Sequence, residues 1–250
     1  MNDEALYGVH PVKEALAAGR RRVYCVYAAK SRTGKAVDEI IAMARKQGVP
    51  VEPLETGIVR DPGANHQGVA ALVSSFPASE LEDVLASGPK PGKSPFFLVL
   101  DGIEDPQNLG ALIRTALCAG VDAVISPDRN CAPLSPSVSK ASSGALEHST
   151  VCRVKNLVRA LSQMKDAGFW IFGADARAGI NYWDCDFSVP TVVVVGGEGR
   201  GIRPLVAREC DQLVKIPQAG PLGSLNASVA GALLMYEVVR QRQQAVQKRE

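Results

Sequence analysis

The feature that most constrains the fold of this chain is an apolar run opening into a glycine-rich turn, Thr191-Val192-Val193-Val194-Val195-Gly196-Gly197-Glu198-Gly199-Arg200-Gly201. A run of Val without polar alternation predicts a strand that is buried on both faces, as in a parallel sheet. Glycine directly after such a strand allows the backbone to come close to a ligand. The pattern leaves two interpretations open: a ligand-binding loop, or a permissive turn in which Glu198 favours the start of a helix.

The composition indicates a globular chain with little net charge. Of the 250 residues, 46% are hydrophobic and 22% are charged, and the formal net charge is +2. These values exclude a disordered chain and a strongly basic coat for nucleic acid, so we expect any contact with RNA or DNA to be local. The length allows one large domain or two smaller ones.

The cysteines and the first residues bear on the compartment. Six cysteines are scattered without a C-x-x-C pair, which predicts free thiols in a reducing compartment and neither a zinc site nor a redox motif. The first residues lack the pattern of a signal peptide, and no apolar run approaches the roughly 20 residues that span a membrane. We therefore expect a cytoplasmic protein that binds neither a metal nor a membrane.

Two α/β domains are predicted, with a linker between them. Residues 1–75 combine helix and strand patterns, including a helix with Pro11 in its first turn and a strand at Val69–Val73. Residues 76–94 are dense in Pro and Gly around residues 86–95, which is typical of a linker. In residues 95–250 strands and helices alternate, which predicts an α/β domain with a mostly parallel sheet.

Two basic clusters in the first domain are candidate RNA contacts. They contribute Arg20, Arg21, Arg22, Arg32 and Lys35. Ten Lys or Arg face eight Asp or Glu in residues 1–75, so only the clustering favours nucleic acid, and a solvated surface stays an open alternative. His66 has no carboxylate or second His nearby in sequence, and we expect it to order its own loop.

The second domain opens with a buried-strand pattern, Phe96–Leu100, and a polar loop that ends at Asn108. Asn108 is a predicted N-cap, because an apolar helical face follows it. Arg114 lies about 130° from the centre of that face at 100° per residue. It is either a surface arginine or a cation that points at a substrate.

The C-terminal part contains a short strand, a turn-rich loop and a last helix. The strand lies within Cys210–Pro217, the loop within Gln218–Asn226, and the helix runs through Leu233 and Val239. Asn226 is the plausible cap of this helix, and Ser224 and Asn226 could have no role beyond capping.

Taken together, three ordered motifs resemble those of the SpoU/TrmH family of RNA ribose 2′-O-methyltransferases. The motifs are Asn108-Leu109-Gly110-Ala111-Leu112-Ile113-Arg114-Thr115, then Gly196-Gly197-Glu198-Gly199-Arg200-Gly201-Ile202, then Ile216-Pro217 with Ser224-Leu225-Asn226-Ala227-Ser228-Val229-Ala230. Tyr7-Gly8 and the turn at Asn65–Val69 resemble the substrate-binding domain that precedes the catalytic domain in many members. Within the family, the likeness is greatest to members that methylate a guanosine ribose in the peptidyl-transferase loop of large-subunit (23S) ribosomal RNA.

The resemblance implies a fold, a cofactor and partners. It implies a C-terminal α/β trefoil-knot methyltransferase domain, preceded by a small α/β domain of the ribosomal L30e type, and a homodimer that acts on ribosomal RNA. It places S-adenosylmethionine at Gly196, Gly197, Ile216, Pro217 and Leu225. The family's active-site positions fall on Arg114, Glu198, Asn108, Ser224 and Asn226.

The chemistry that the resemblance implies depends on positioning and proton removal, because a ribose hydroxyl is barely ionised at neutral pH. A guanidinium is almost always protonated, so Arg114 is expected to stabilise a phosphate and an alkoxide rather than act as a base. This chain departs from many members at Ala227 and Gln218, where they carry Val and Met. We expect these changes to affect cofactor affinity and not the chemistry.

Three other functions are alternatives to this one. A dinucleotide-binding oxidoreductase requires G-x-G-x-x-G, whereas this chain has Gly197-x-Gly199-x-Gly201, and Glu198 would repel a pyrophosphate. A non-catalytic RNA-binding or ribosome-assembly factor is disfavoured by the intact Arg114, Glu198 and Asn226. A methyltransferase of the same family that acts on tRNA is the third alternative.

Overall fold

The computed structural model describes residues 3–29, 34–54, 65–88, 92–221 and 223–247. The helices and strands are β1 (Glu4–Tyr7), α1 (Val9–Ala18), β2 (Val23–Ala28), α2 (Lys35–Lys46), β3 (Val51–Pro53), β4 (Val69–Val73), α3 (Leu81–Ala86), β5 (Phe96–Asp101), α4 (Pro106–Cys118), β6 (Ala123–Pro127), α5 (Pro136–Ala141), α6 (Ala145–His148), β7 (Val151–Val154), α7 (Leu157–Asp166), β8 (Trp170–Ala174), β9 (Ile180–Asn181), β10 (Thr191–Gly196), α8 (Pro204–Arg208), β11 (Gln212–Lys215) and α9 (Ala227–Gln247). In these ranges, no helix is both long and apolar enough to cross a membrane.

The first compact unit comprises residues 1–77 and 133–148. Its sheet has the order β1-β4-β2-β3, in which β4 runs antiparallel to both neighbours and β2 runs parallel to β3. Apolar side chains of α1 and α2 pack with those of the sheet into one core. The predicted helix with Pro11 in its first turn and the strand at Val69–Val73 are confirmed.

Residues 133–148 belong to this first unit, although the predicted bounds of the second domain, 95–250, include them. The guanidinium of Arg21 donates to Glu147 at 2.9 Å and to Glu4 at 2.6 Å. Lys140 donates to the main-chain oxygen of Asn65 at 2.9 Å. The connection from β6 to β7 thus carries two helices, α5 and α6, whose contacts are made with residues far away in sequence.

The second compact unit contains a seven-stranded sheet with the order β7-β6-β5-β10-β8-β11-β9. Every pair of neighbours is parallel. The run Val192–Val195 lies in β10 at the centre of the sheet and is buried throughout. The predicted α/β fold with a mostly parallel sheet is confirmed, because an unbroken apolar run suits a strand that is covered on both faces.

Two helices cover the sheet beside its centre. α4 packs against α9, and α9 packs against β10. Four residues of the predicted apolar face of α4 are buried, but Leu117 is 39% exposed. After β11, at the far side of β8, the chain returns to α9 beside β10, and this return lies in the segment for which the resemblance implies a knot.

The predicted linker is partly structured. It contains α3, and the N–H of Ser79 donates to the main-chain oxygen of Val151 at 2.9 Å. These contacts place residues from Ala78 onward in the second unit. Residues 89–91, at the most Pro-rich and Gly-rich point, lie outside the described residues.

Candidate active site

The first part of the site is the loop between β5 and α4. Asp105 is the N-cap of α4, and its carboxylate accepts hydrogen bonds from the N–H groups of Gln107 at 3.0 Å and Asn108 at 3.4 Å. The prediction that Asn108 is the cap is wrong, because Pro106 suits the first helical turn and Asp105 supplies the capping carboxylate. The side chain of Asn108 is therefore not needed as the cap. Its Nδ2 instead donates to Glu198 Oε1 at 2.9 Å.

The second part is the loop after β10, in which two glycines allow close contact between backbones. A Cβ atom on Gly197 would lie 2.1 Å from the carbonyl oxygen of Gly102, and one on Gly196 would lie 2.1 Å from the carbonyl carbon of Gly201. The glycines that are predicted to let a ligand come close thus also let two segments of the protein's own backbone come close to each other. A side chain at either position would separate the loop from its neighbours.

Asp101, a residue that the sequence did not single out, holds this loop at both ends. Its main-chain oxygen accepts a hydrogen bond from the N–H of Gly197 at 2.8 Å. Its buried carboxylate accepts from the backbone N–H of Arg203 at 2.8 Å and from Arg203 Nε at 2.7 Å. The only sequence signal is an acid at the end of an otherwise apolar strand.

The third part is the start of α9, where Asn226 both caps the helix and joins the other motifs. Its Oδ1 accepts from the backbone N–H of Ser228 at 2.9 Å, so the predicted cap is confirmed. Its Nδ2 donates to Asn108 Oδ1 at 3.0 Å and to Glu198 Oε1 at 2.5 Å. The side chains of Asn108, Glu198 and Asn226 thus form a closed triangle of hydrogen bonds, called here the polar triangle.

A cavity of about 580 Å³ lies at the carboxyl ends of β8, β10 and β11. Parallel α/β sheets bind ligands at this edge. The predicted residues that line it are Gly196, Gly197, Glu198, Ile216, Ser224, Leu225 and Asn226. Pro217 lies between two lining residues, Ile216 and Gln218.

The loop after β8 also lines the cavity, although no motif in the sequence predicts this. Asp175 accepts hydrogen bonds from Arg177 Nε at 3.1 Å and Nη2 at 3.0 Å. Hydrogen bonds from Arg177 hold the pKa of Asp175 below its ordinary value. The lining of the cavity therefore includes the carboxylate of Asp175, which is anionic at neutral pH, as well as Glu198.

Arg114 is exposed on α4, off the apolar face as predicted. It lies six residues beyond Asn108, or about 9 Å along the helix axis at about 1.5 Å per residue. It is not among the residues that line the cavity. The structure thus joins three of the five predicted active-site residues in the polar triangle and adds Ser224 at the cavity, whereas Arg114 lies outside the lining of the cavity.

The predicted RNA-binding cations differ in exposure. Arg22 and Lys35 are exposed and Arg20 is half-buried, whereas Arg32 lies outside the described residues. Arg21 is wrong as an RNA contact, because its side chain is fully buried and pairs with Glu4 and Glu147. A run of three arginines does not show that the middle one points inward. His66 orders its own turn as expected, since its Nδ1 accepts from the N–H of Gly68 at 3.0 Å.

Comparison with known proteins finds relatives over the full length. Residues 95–236 match the SpoU rRNA methylase family, and residues 5–78 match the substrate-binding domain of RNA 2′-O ribose methyltransferases. YacO of Bacillus subtilis, whose name places it among the TrmH family tRNA/rRNA methyltransferases, is 40% identical over 240 residues, which cover 94% of each chain.

Solved structures agree with these matches. The SpoU methyltransferase AviRb from Streptomyces viridochromogenes, in complex with the cofactor AdoMet, is 25% identical with a TM-score of 0.81, over 96% of this chain and 91% of that chain. A solved RNA 2′-O ribose methyltransferase is 26% identical with a TM-score of 0.80, over 96% and 89%. With its three motifs assembled at one edge of a parallel sheet and with these matches, the chain belongs to the SpoU rRNA methylase family.

Proposed function

We propose that this protein transfers a methyl group from S-adenosylmethionine to the 2′-hydroxyl of a guanosine ribose in large-subunit (23S) ribosomal RNA. The observation that carries the proposal is the polar triangle, which unites one residue from each of the three motifs beside a cavity. The AdoMet complex of AviRb, a similar protein, supports the choice of cofactor.

The lining of the cavity fits S-adenosylmethionine. Ile216 and Leu225 offer apolar contacts, and the backbone around Gly196 and Gly197 offers hydrogen-bonding groups without side chains in the way. A volume of about 580 Å³ falls in the usual range for cofactor sites. When bound, the cofactor supplies an electrophilic methyl group on a sulfonium. Pro217 would support this pocket through its place beside Ile216.

Two residues of the polar triangle can contact the substrate, and the third positions them. Glu198 and Asn226 line the cavity, so they are the candidates to hydrogen-bond the ribose. Asn108 is 8% exposed and acts as a positioning residue, since its amide bonds both partners. Ser224 lines the cavity as a further neutral hydrogen-bonding group.

Arg114 is proposed to bind a substrate phosphate and to stabilise the developing alkoxide. A guanidinium is a cation with five N–H donors, which suits electrostatic stabilisation and does not suit general-base catalysis. Its exposed place on α4, beyond the buried Asn108, leaves it accessible to RNA.

The choice of ribosomal RNA rests on the family description, whereas the name of the relative YacO includes both tRNA and rRNA. Mapping of ribose methylation in all RNA of cells with and without this gene tests the choice. We expect one 2′-O-methylguanosine of large-subunit RNA to disappear with the gene. Loss of a tRNA modification instead would assign the tRNA alternative, and no change in any RNA would support a non-catalytic binding factor.

We further propose that the protein acts as a homodimer in the cytoplasm, with α9 in the interface. Val229, Leu233 and Tyr236 are 48%, 39% and 51% exposed. Their spacing of four and three residues places them on one side of α9. Exposed apolar side chains on one helix face are typical of a surface that another protein covers.

A further inference from the structure

Two cations at the carboxyl ends of strands in the second unit have no role in the proposed reaction. Arg129 follows β6, Lys155 follows β7, and both are exposed. Within the described part of the chain, no hydrogen bond or ion pair engages either side chain. We infer that Arg129 and Lys155 bind phosphates of the substrate RNA next to the target ribose, which rests on the proposed function.

The two cations lie close together because their strands are neighbours. β6 and β7 are parallel, with Pro127 paired with Val154. The backbone N–H of Asp128 continues the pairing by donating to the oxygen of Val154 at 3.0 Å. Neighbouring strands lie about 4.8 Å apart, so both cations serve one stretch of RNA backbone.

A continuous line of contacts connects this pair to the polar triangle. The N–H of Ala132 donates to the oxygen of Ile103 at 2.9 Å, which joins the loop after β6 to the loop after β5. Gly102 in that second loop abuts Gly197, the residue before Glu198. An RNA strand whose ribose reaches Glu198 can therefore run along one edge of the sheet to Arg129.

The loop that carries Arg129 is held in a fixed shape by Arg153 of β7. Arg153 is 17% exposed, and it donates to the main-chain oxygens of Asp128 and Ala132, each at 3.0 Å. Asn130 has a φ of +56°, a left-handed conformation that costs energy and recurs at functional sites. Arg153 also faces Asp128 at 3.7 Å, which offsets the charge of the acid that precedes Arg129 in the sequence.

The cavity proposed for the cofactor and the cations proposed for RNA lie on opposite sides of the two central strands. The cavity lies toward β8 and β11, whereas Arg129 and Lys155 lie toward β6 and β7, and β5 and β10 lie between them. Methyl transfer requires the attacking oxygen and the leaving sulfur on opposite sides of the methyl carbon, aligned with each other. RNA that enters over β6 and β7 would approach a cofactor in the cavity from the opposite side.

The test compares the double variant Arg129→Gln/Lys155→Gln with Lys93→Gln/Arg208→Gln. The control removes the same charge from exposed residues before β5 and in α8, away from the line of contacts. The probe is ribosomal RNA from cells that lack the gene. We expect the KM for RNA to rise roughly tenfold in the first variant, and the slope of log affinity against log salt to fall by about 1.4, for two lost phosphate contacts. The kcat and the Kd for S-adenosylmethionine should match the wild type.

The control variant should retain the KM and the salt slope of the wild-type protein. An unchanged KM and salt slope in Arg129→Gln/Lys155→Gln, or an equal loss in the control, would overturn the inference. The same would follow from a loss of cofactor binding. If wild-type protein binds this RNA but methylates none, the proposed function fails, and the salt dependence of binding in the two variants still decides the role of the pair.

Discussion

Asp101 shows how one residue can determine the shape of a binding loop. Its main-chain oxygen accepts from Gly197 and its carboxylate accepts from Arg203, so both ends of the segment between them depend on this residue. In Asp101→Asn the amide keeps one acceptor and loses the charge. Half of the Arg203 side chain is exposed to solvent, which screens its ion pair with Asp101. We therefore expect the loop to lose about 1–2 kcal/mol of stability.

This loss should appear as weaker cofactor binding, by roughly tenfold, at an unchanged melting temperature of the other unit. Titration calorimetry with S-adenosylmethionine measures it. Asp128→Asn, at the same edge of the sheet, is the matched control and should bind as the wild type does. Equal affinity in Asp101→Asn would show that the loop keeps its shape without the carboxylate.

Glu147 provides a prediction on pH. Burial raises its pKa above the ordinary value of 4.5, and Glu4 shares the same Arg21 guanidinium, so one cation faces two carboxylates. The folded state therefore holds a proton where the unfolded chain has lost it. This contribution is complete below about pH 4.5 and is lost as the pH rises through the raised pKa.

Glu147→Gln, which cannot titrate, should lack this decline in stability. Chemical denaturation of wild-type protein and of Glu147→Gln at several pH values above 4.5 measures the difference. We expect the two curves of unfolding free energy to diverge as the pH rises, with the variant gaining relative to the wild type. Parallel curves would mean that the pKa of Glu147 is the same in the folded and unfolded states.

Local sequence predicts the role of Asn226 but not those of Arg21 and Asp101. Asn226 is predicted as a cap and as a site residue because its motif is local. The burial of Arg21 cannot be predicted in this way, because its partner Glu147 lies 126 residues away. The same holds for Asp101, since Arg203 is distant in sequence and no local pattern indicates the pair.

At the scale of elements, the loop after β10 is built on two different uses of glycine. Gly197 is needed for space, since a Cβ would lie 2.1 Å from the backbone of Gly102. Gly199 is needed for its φ of +78° and has open space around it. Gly197→Ala should abolish cofactor binding by separating the two loops. Gly199→Ala should instead lower the stability of the fold by about 1–2 kcal/mol.

Calorimetry and thermal unfolding of both variants distinguish these two effects. Gly199→Ala is the matched control, because the same methyl group is added two residues away. If both variants bind the cofactor equally well, contact between the backbones of Gly102 and Gly197 does not shape the site.

Most helices and strands could be predicted because their patterns are local. β4 has the predicted bounds, and β10 follows from its unbroken Val run. The cap of α4 was misplaced by three residues, since Asp105 and Asn108 are both good caps and only the position of Pro106 separates them. The loop after β8 was missed as a part of the cavity, because strand order in the sheet cannot be read from the sequence.

At the scale of the whole molecule, two compact units do not correspond to two continuous stretches of chain. Residues 133–148 lie within the sequence range predicted for the second domain but belong to the first unit. Their Ser-rich sequence is typical of a loop and a short helix, and it does not indicate the unit to which they belong. Only long-range pairs such as Arg21 with Glu147 reveal this.

The proposed homodimer can be tested through the exposed face of α9. Leu233→Asp/Tyr236→Asp places two charges on that face, and burial of unpaired charge in an interface is costly. We expect the variant to be monomeric in size-exclusion chromatography with light scattering, at a concentration where the wild type is dimeric. Leu205→Asp, at a residue 63% exposed on α8, is the control and should stay dimeric. A monomeric wild type, or a dimeric double variant, would contradict this interface.

Methyl transfer by wild-type protein and by Glu198→Gln, with ribosomal RNA from cells that lack the gene, tests the role of the polar triangle. Digestion to nucleosides and mass spectrometry identifies the product. We expect 2′-O-methylguanosine in large-subunit RNA with the wild type. For Glu198→Gln we expect a loss of at least about a hundredfold in kcat, with S-adenosylmethionine still bound. Equal transfer by the variant, or a methyl group on a base and none on ribose, would contradict the central role of the polar triangle.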